Sequence, residues 1–354
     1  MVFSNYYKIE NLKADKRDIL LIYTGGTIGM MKDYTSGALK AFDFSQLLKN
    51  IPELNQLECT ISSYSFDQPI DSSNMNPTHW VAISDIIADK YDEYDGFVVL
   101  HGSDTMSYTA SALSFLLENL SKPVILTGSQ LPIGDLRTDA KENLITAIQI
   151  AALQKNGRAI IQEVGLYFEY KLYRGNRTTK INAEHFKAFA SLNYPQLIES
   201  GVHLTIFNEY LLPQKKNITL KPHRNMDNNV AILKIFPGIN KYIIDAILGA
   251  ENLKALVLET YGSGNAPMEV WFLESLDKAI KNGIHIINVT QCSGGAVMMG
   301  HYETSSKLKK MQVINGKDIT TEAAITKAMY LLGSGVSHDL FKTVFETSLR
   351  GEML

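Results

Sequence analysis

GFVVLHGSDTMSYTASALSFLLENLSKPVILTGS, residues 96–129, decides the fold. Its first five residues form an uninterrupted apolar, β-branched run, the pattern of a strand buried on both faces. Asp104–Asn119 then carries a helical period, with Ala110, Leu113 and Leu117 at i, i+3 and i+7 on one side. A second short apolar run, Lys122–Thr127, closes the unit. Strand, helix and strand in that order predict a βαβ crossover and therefore a parallel sheet.

Working outward, Asp18–Thr24, Gly96–His101, Pro123–Thr127 and Arg158–Glu163 read as strands of one larger sheet. The polar stretch Leu212–Asn229, with Pro213, Lys215, Lys216, Pro222, His223 and Arg224, breaks the alternation. Beyond it Val230–Phe236, Leu253–Leu258 and Ile284–Val289 read as strands, with helices at Lys241–Leu248, Glu269–Lys281, Thr320–Leu332 and Asp339–Leu349. The expectation is a two-domain α/β protein. Residues 1–211 hold a larger, mostly parallel sheet flanked by helices, residues 212–229 a linker, and residues 230–354 a smaller parallel-sheet domain. A chain of 354 residues also exceeds what a single core usually supports.

Composition narrows the function. With 34 basic and 37 acidic residues the net charge is −3, and no long cationic run is present, so nucleic acid is not an expected partner. Cys59 and Cys292 are too far apart in sequence for a CxxC-type redox or zinc motif, and a reducing compartment fits them. Residues 1–18 lack the apolar core of a signal peptide, and no apolar stretch approaches the roughly 20 residues of a membrane span. A cytoplasmic location is expected.

Open parallel sheets bind ligands beyond the carboxyl ends of their strands, so the strand-to-helix turns are the places to look for chemistry. Thr24-Gly25-Gly26-Thr27-Ile28-Gly29 follows the first strand; its glycines permit close backbone approach, and Thr27 presents a hydroxyl just past the turn. Taken alone, these residues read more readily as a tight turn with Thr27 as helix N-cap. A dinucleotide loop fits less well: GxGxxG needs glycine where Thr24 stands, and no acidic residue sits at a strand end about 20 positions on. His101-Gly102-Ser103-Asp104-Thr105 sets a hydroxyl and a carboxylate at a helix start, where backbone N–H groups suit an anion or oxyanion and where capping is the plainer role. The cationic loop 173–180, YRGNRTTK, reads as a solvated surface or as the source of a functional lysine. Burial would favour a neutral Lys180 and a neighbouring aspartate its ammonium, and the residues alone leave both open. GxSxG, GxxxxGK[ST] and HExxH are all missing, which leaves a metal-free hydroxyl nucleophile as the economical choice.

Taken together, YTGGTIGM (23–30), DSSNM (71–75), HGSDTMSYTASALSFLLENL (101–120), TGSQLP (127–132), RGNRTTK (174–180), YGSGNAP (261–267) and LRGEM (349–353) resemble the bacterial cytoplasmic, type I, L-asparaginases in order and spacing. That resemblance implies hydrolysis of asparagine to aspartate and ammonia without a cofactor. It makes Thr27 the nucleophile, Ser103, Asp104 and Lys180 a hydroxyl–carboxylate–amine trio, and Asp71, Ser72 and Ser73 the grip on the substrate's α-amino and α-carboxylate groups, with Asp104 sharing the ammonium. Backbone amides near Ser103 and the Ser129 segment would bind the oxyanion. A homodimer or homotetramer is implied as well. Broader glutaminase-asparaginase activity is the near alternative, and a nucleotide-dependent oxidoreductase on a doubly wound sheet the distant one.

Three departures from the family pattern stand out. Serine replaces threonine at Ser103, keeping the hydroxyl but losing the methyl that restricts its rotamer. Aligning on the glycine puts Ala38 where many members carry a tyrosine that bonds the nucleophile, leaving Tyr34 and Tyr302 as candidates for that role. Glu259 stands where regulated members carry an arginine near Thr179 and Cys292, which implies hyperbolic kinetics without a regulatory asparagine site.

Overall fold

The computed structural model describes residues 6–9, 16–32, 39–41, 51–214, 218–300 and 303–354. It divides into two compact units, 1–191 with 195–222, and 192–194 with 223–354.

In the first unit the sheet strands are β1 (Tyr6–Ile9), β2 (Arg17–Tyr23), β3 (Cys59–Ser65), β4 (Gly96–Leu100), β5 (Val124–Thr127), β6 (Val164–Phe168), β7 (Lys171–Arg174), β8 (Ile198–Ser200) and β9 (Leu204–Ile206). Their spatial order is β1-β3-β2-β4-β5-β6-β7-β8-β9. The five central strands, β3 to β6 in that order, run parallel, and the flanking pairs are antiparallel. Helices α1 (Pro77–Asp89), α2 (Met106–Leu116) and α3 (Ala140–Ala152) accompany this sheet. Ile83, Ile87, Ala110 and Leu113 from α1 and α2 pack with Leu20, Ile22, Val99 and Leu126 from the strands in one core. The βαβ unit expected over 96–129 is therefore present, with all of β4 and β5 buried.

Two expected elements differ. Arg158–Glu163 is not a strand of the larger sheet: Asn156 (φ 53°) and Gly157 (φ 74°) are both left-handed and form a two-residue hairpin turn that pairs only Arg158–Ala159, with Gln154–Lys155. The parallel strand begins at Val164, and Glu163 is taken by Arg174 Nε at 2.5 Å, both side chains being buried. The helix expected to reach Asn119 stops at Leu116, because Leu117–Glu118 pairs with Lys221–Pro222 and Asn119 turns left-handed at φ 66°.

The second unit carries a four-stranded, wholly parallel sheet, β10 (Val230–Lys234), β11 (Ala255–Thr260), β12 (His285–Thr290) and β13 (Ile314–Asn315). With it go α4 (Lys241–Leu248), α5 (Val270–Lys281), α6 (Glu303–Lys310), α7 (Thr321–Gly333) and α8 (His338–Phe345). Leu233, Ile244, Leu256, Phe272 and Leu276 are among its core residues. Among the described residues no helix is long and apolar enough to cross a membrane.

A buried cation fastens the chain's end to this unit. Lys327 on α7 is inaccessible to solvent, and its ammonium donates to Phe345 O and Thr347 O, each at 2.7 Å, and to the equally buried Glu352 carboxylate. Glu352 in turn accepts from the backbone N–H groups of Leu349 and Arg350. One lysine thus satisfies carbonyls at the end of α8 while orienting the acid that folds residues 349–352 back. Lys327→Met is expected to lose about 3–5 kcal/mol of unfolding free energy, the scale for stranding one member of a buried ion pair. Replacing Glu352 as well should not restore it, because the carbonyls and N–H groups stay unpaired. Urea denaturation of the two variants tests this, and a loss below about 1 kcal/mol for Lys327→Met would contradict it.

Candidate functional site

Three turns meet at the carboxyl ends of β2, β3 and β4. Leaving β2, Thr24 donates its N–H (3.1 Å) and its hydroxyl (2.9 Å) to Leu100 O at the end of β4, while Ile70 N donates to Thr24 O at 2.7 Å. Gly25 (φ 138°) and Gly26 (φ 90°) lie outside the conformations open to side-chain-bearing residues. Space demands glycine as well: a Cβ on Gly25 would sit 2.2 Å from Ile70 O, and one on Gly26 2.5 Å from Gly102 N. A Cβ on Gly102 would meet Ser72 Oγ at 2.5 Å. The residues just before Thr27, just before Ser103 and within 70–72 are consequently in direct contact. Thr27 opens a single 3-10 turn to Gly29, pinned by the Tyr23 hydroxyl donating to Gly29 O at 3.2 Å.

Lys180 arrives from residues far along the chain. It lies on the short strand Thr179–Lys180, paired antiparallel with Phe189–Ala190. Its Nζ donates to Ser103 Oγ at 2.9 Å and to Asp104 Oδ1 at 2.7 Å. The lysine side chain is 18% exposed and the aspartate 65%, so the pair has one face toward the interior and one toward water. Hydroxyl, carboxylate and amine form the trio that the resemblance implies.

Sequence reading missed Gln130, the next link. Ser103 Oγ donates to Gln130 Oε1 at 3.2 Å, and Gln130 Nε2 is fixed by Ala183 O and His185 O, each at 3.1 Å. The backbone of Gln130 is held by Asp139, whose two oxygens accept its N–H at 2.9 and 3.1 Å. Ser103 therefore accepts from Lys180 and donates to Gln130, and its single hydroxyl is oriented from both sides. The signal was a polar amide directly after a strand-end turn, TGSQ.

Among the residues expected to grip substrate, Asp71 caps the turn Ser72–Asn74, its Oδ1 accepting Ser73 N at 3.0 Å. That N–H, and then the Ser73 hydroxyl, hold the exposed Asp71 carboxyl below its ordinary range, so it is an anion at neutral pH. Ser72 is buried, with its carbonyl accepting Thr105 Oγ1 at 2.7 Å, which ties this turn to the one carrying Ser103. Ser129 is buried too and spends its hydroxyl on Leu131 O at 2.6 Å. Tyr302, Tyr34 and Ala38 lie outside the described residues.

In the second unit Glu259, on β11, is engaged by its own neighbours. Thr321 Oγ1 donates to Glu259 Oε1 at 2.6 Å, and Lys234 Nζ stands 3.7 Å from Oε2. Cys292 is exposed, its N–H donating to Thr290 Oγ1 at 3.0 Å.

The family model described as Asparaginase, N-terminal, matches residues 18–211, and that of the Glutaminase/Asparaginase C-terminal domain matches residues 229–345. L-asparaginase 1 of Escherichia coli (strain K12) is 42% identical over 339 residues, covering 96% of this chain and 98% of that one. The crystal structure of L-asparaginase I from Vibrio cholerae superposes with a TM-score of 0.87 at 40% identity, covering 96% of this chain and 99% of its own. The thermostable L-asparaginase from Thermococcus kodakarensis gives 0.86 at 30% identity, with 95% and 99% covered. With both family models and a near full-length relative at this identity, the chain belongs to the asparaginase family.

Proposed function

We propose that this chain hydrolyses the side-chain amide of L-asparagine to L-aspartate and ammonia. The carrying observation is the Lys180 ammonium bound at once to the Ser103 hydroxyl and the Asp104 carboxylate, beside the glycine turn that presents Thr27.

In the first half-reaction Thr27 Oγ bonds to the amide carbon and gives up its proton, and the carbonyl oxygen takes the electron pair. Collapse of that intermediate breaks the C–N bond, the leaving nitrogen takes a proton, ammonia departs, and a β-aspartyl ester remains on Thr27. In the second half-reaction water adds to the ester carbon, the C–Oγ bond breaks, and Thr27 recovers its proton. Backbone N–H donors near Ser103 stabilise both oxyanions, each worth roughly 2.7–4 kcal/mol by the usual scale. For proton transfer Ser103 must swing its hydrogen from Gln130 toward a neutral Lys180, so the amine works as a base only after releasing its proton. The zwitterionic substrate would set its ammonium between Asp71 and Asp104 and its carboxylate on Ser72 and Ser73. Preference over glutamine turns on one methylene, typically about 1–3 kcal/mol.

Either Tyr302 or Tyr34 supplies the tyrosine hydroxyl that assists Thr27 in this proposal, and the chain works in the cytoplasm without a cofactor. We assign it a homodimeric or homotetrameric state. Phe236 after β10, Tyr242 and Ile243 on α4, and Val270 at the start of α5 are 52%, 85%, 46% and 70% exposed, apolar side chains that a second copy could cover.

Thr27→Ala should lower asparagine turnover at least 10³-fold while leaving asparagine binding within severalfold, read by ammonia release and by calorimetric titration; retained turnover would overturn the nucleophile assignment. Sedimentation equilibrium at micromolar concentration should return the mass of two or four chains, and a monomer would contradict the assembly. With the Glu259 carboxylate already bound by Thr321 and Lys234, a regulatory asparagine carboxylate meets an acid in place of a cation. Initial rate against asparagine concentration should accordingly be hyperbolic, and a sigmoidal curve would sink this reading.

A further inference from the structure

His101 follows β4 directly, has no accessible surface, and takes no part in the chemistry above. Its ring is held at both nitrogens: Nδ1 lies 2.6 Å from Gly102 O, and Nε2 lies 2.9 Å from Thr109 Oγ1 on α2. Thr109 Oγ1 also accepts Trp80 Nε1–H from α1 at 3.0 Å. A carbonyl only accepts and an indole N–H only donates, so the network assigns every proton. Trp80 donates to Thr109, Thr109 donates to Nε2, and Nδ1–H donates to Gly102 O. Burial lowers the His101 pKa to about 4, in keeping with the neutral ring this pattern needs.

The carbonyl so held shares its peptide plane with the N–H of Ser103. No peptide bond in the described chain is cis, and across a trans unit the C=O and N–H point in opposite directions. A carbonyl drawn to the buried imidazole therefore sends the Ser103 N–H the other way. Ser103 is the first residue of the 3-10 turn Ser103–Thr105, so this N–H has no acceptor within the turn. A hydrogen bond accepted by the carbonyl also polarises the amide and makes its N–H a stronger donor.

We infer that His101 is a positioning residue: clamped by Thr109 and Trp80, it aims and polarises the Gly102–Ser103 peptide so that the Ser103 N–H meets the oxyanion of the acyl-transfer reaction. The inference rests on the amide-hydrolase reading proposed above. It predicts a loss confined to the transition state, because an oxyanion donor is aimed at charge that the ground state lacks.

Steady-state kinetics on asparagine with wild type, Thr27→Ala, His101→Leu, His101→Asn and Thr109→Val provide the test, with thermal melting to identify folded variants. His101→Leu should lower kcat about 10- to 100-fold, somewhat less than outright loss of an oxyanion donor, with KM within about twofold. His101→Asn, whose amide N–H still reaches Gly102 O, should recover most of that loss. If His101→Leu does not fold, Thr109→Val decides, since it keeps the imidazole but removes the group that fixes its tautomer; a kcat lowered severalfold at constant KM supports the role. A folded His101→Leu with kcat within twofold of wild type, equal loss in the Leu and Asn variants, or an unchanged Thr109→Val where Leu is unfolded overturns it. A wild type inactive on asparagine, or a fully active Thr27→Ala, instead overturns the acyl-enzyme reading and this inference with it. An active, Thr27-dependent wild type beside an intact His101→Leu overturns the positioning role alone.

Discussion

Backbone meets backbone where Gly26 approaches Gly102, and the site depends on that approach. The loops after β2 and β4 are closer there than any pair of side-chain-bearing residues permits, a Cβ on Gly26 lying 2.5 Å from Gly102 N. Both strands are central and parallel, in register from Ile19 against Gly96 to Tyr23 against Leu100, so their carboxyl ends finish level. Level ends place the two turns side by side, and the missing side chains let them touch. Thr24, bonded twice to Leu100 O, locks the first turn over the second. A side chain at Gly26 would have to move the strand ends as well as the loops, which a buried sheet resists.

The sequence made the frame of this arrangement readable in some places and not in others. GFVVL and VILT are continuous apolar runs because both faces of β4 and β5 are covered, and such runs announce buried parallel strands. Arg158–Glu163 looked similar because Ile160 and Ile161 sit inside it, yet Asn156-Gly157 ahead of it is a hairpin signal that outweighs two isoleucines. Lys180 is 77 residues from Ser103, and no local pattern pairs them; only the ordered set of motifs resembling one family did. Gln130 and His101 were within quoted motifs but carried no visible role, since their importance lies in which backbone groups they hold.

Serine at position 103 illustrates how context compensates for a lost constraint. Threonine would restrict the hydroxyl through its β-methyl group. Here the hydroxyl is fixed by partners instead, with the Lys180 ammonium on one side and the Gln130 amide oxygen on the other. Gln130 is itself immobilised by Ala183, His185 and Asp139, so the restraint extends to the segment just after Lys180 and to the start of α3. These two hydrogen bonds restrict the rotor in place of the methyl group, and they additionally define where its proton rests.

A buried histidine, threonine and tryptophan beneath such a turn would be a poor choice if stability alone were at stake. An apolar trio of similar volume would avoid the desolvation of three polar groups. The hydrogen-bonded chain is tolerable because each donor and acceptor in it is matched, and matched networks hold a single geometry where apolar packing tolerates several. Trp80 belongs to α1, which starts at Pro77 shortly after the Asp71 turn, and Thr109 belongs to the helix that Ser103 leads into. The network therefore joins the helices behind two of the three turns and ends on the carbonyl between Gly102 and Ser103. Glycine provides the closeness of the loops, and this polar chain provides the direction in which one of their peptides faces.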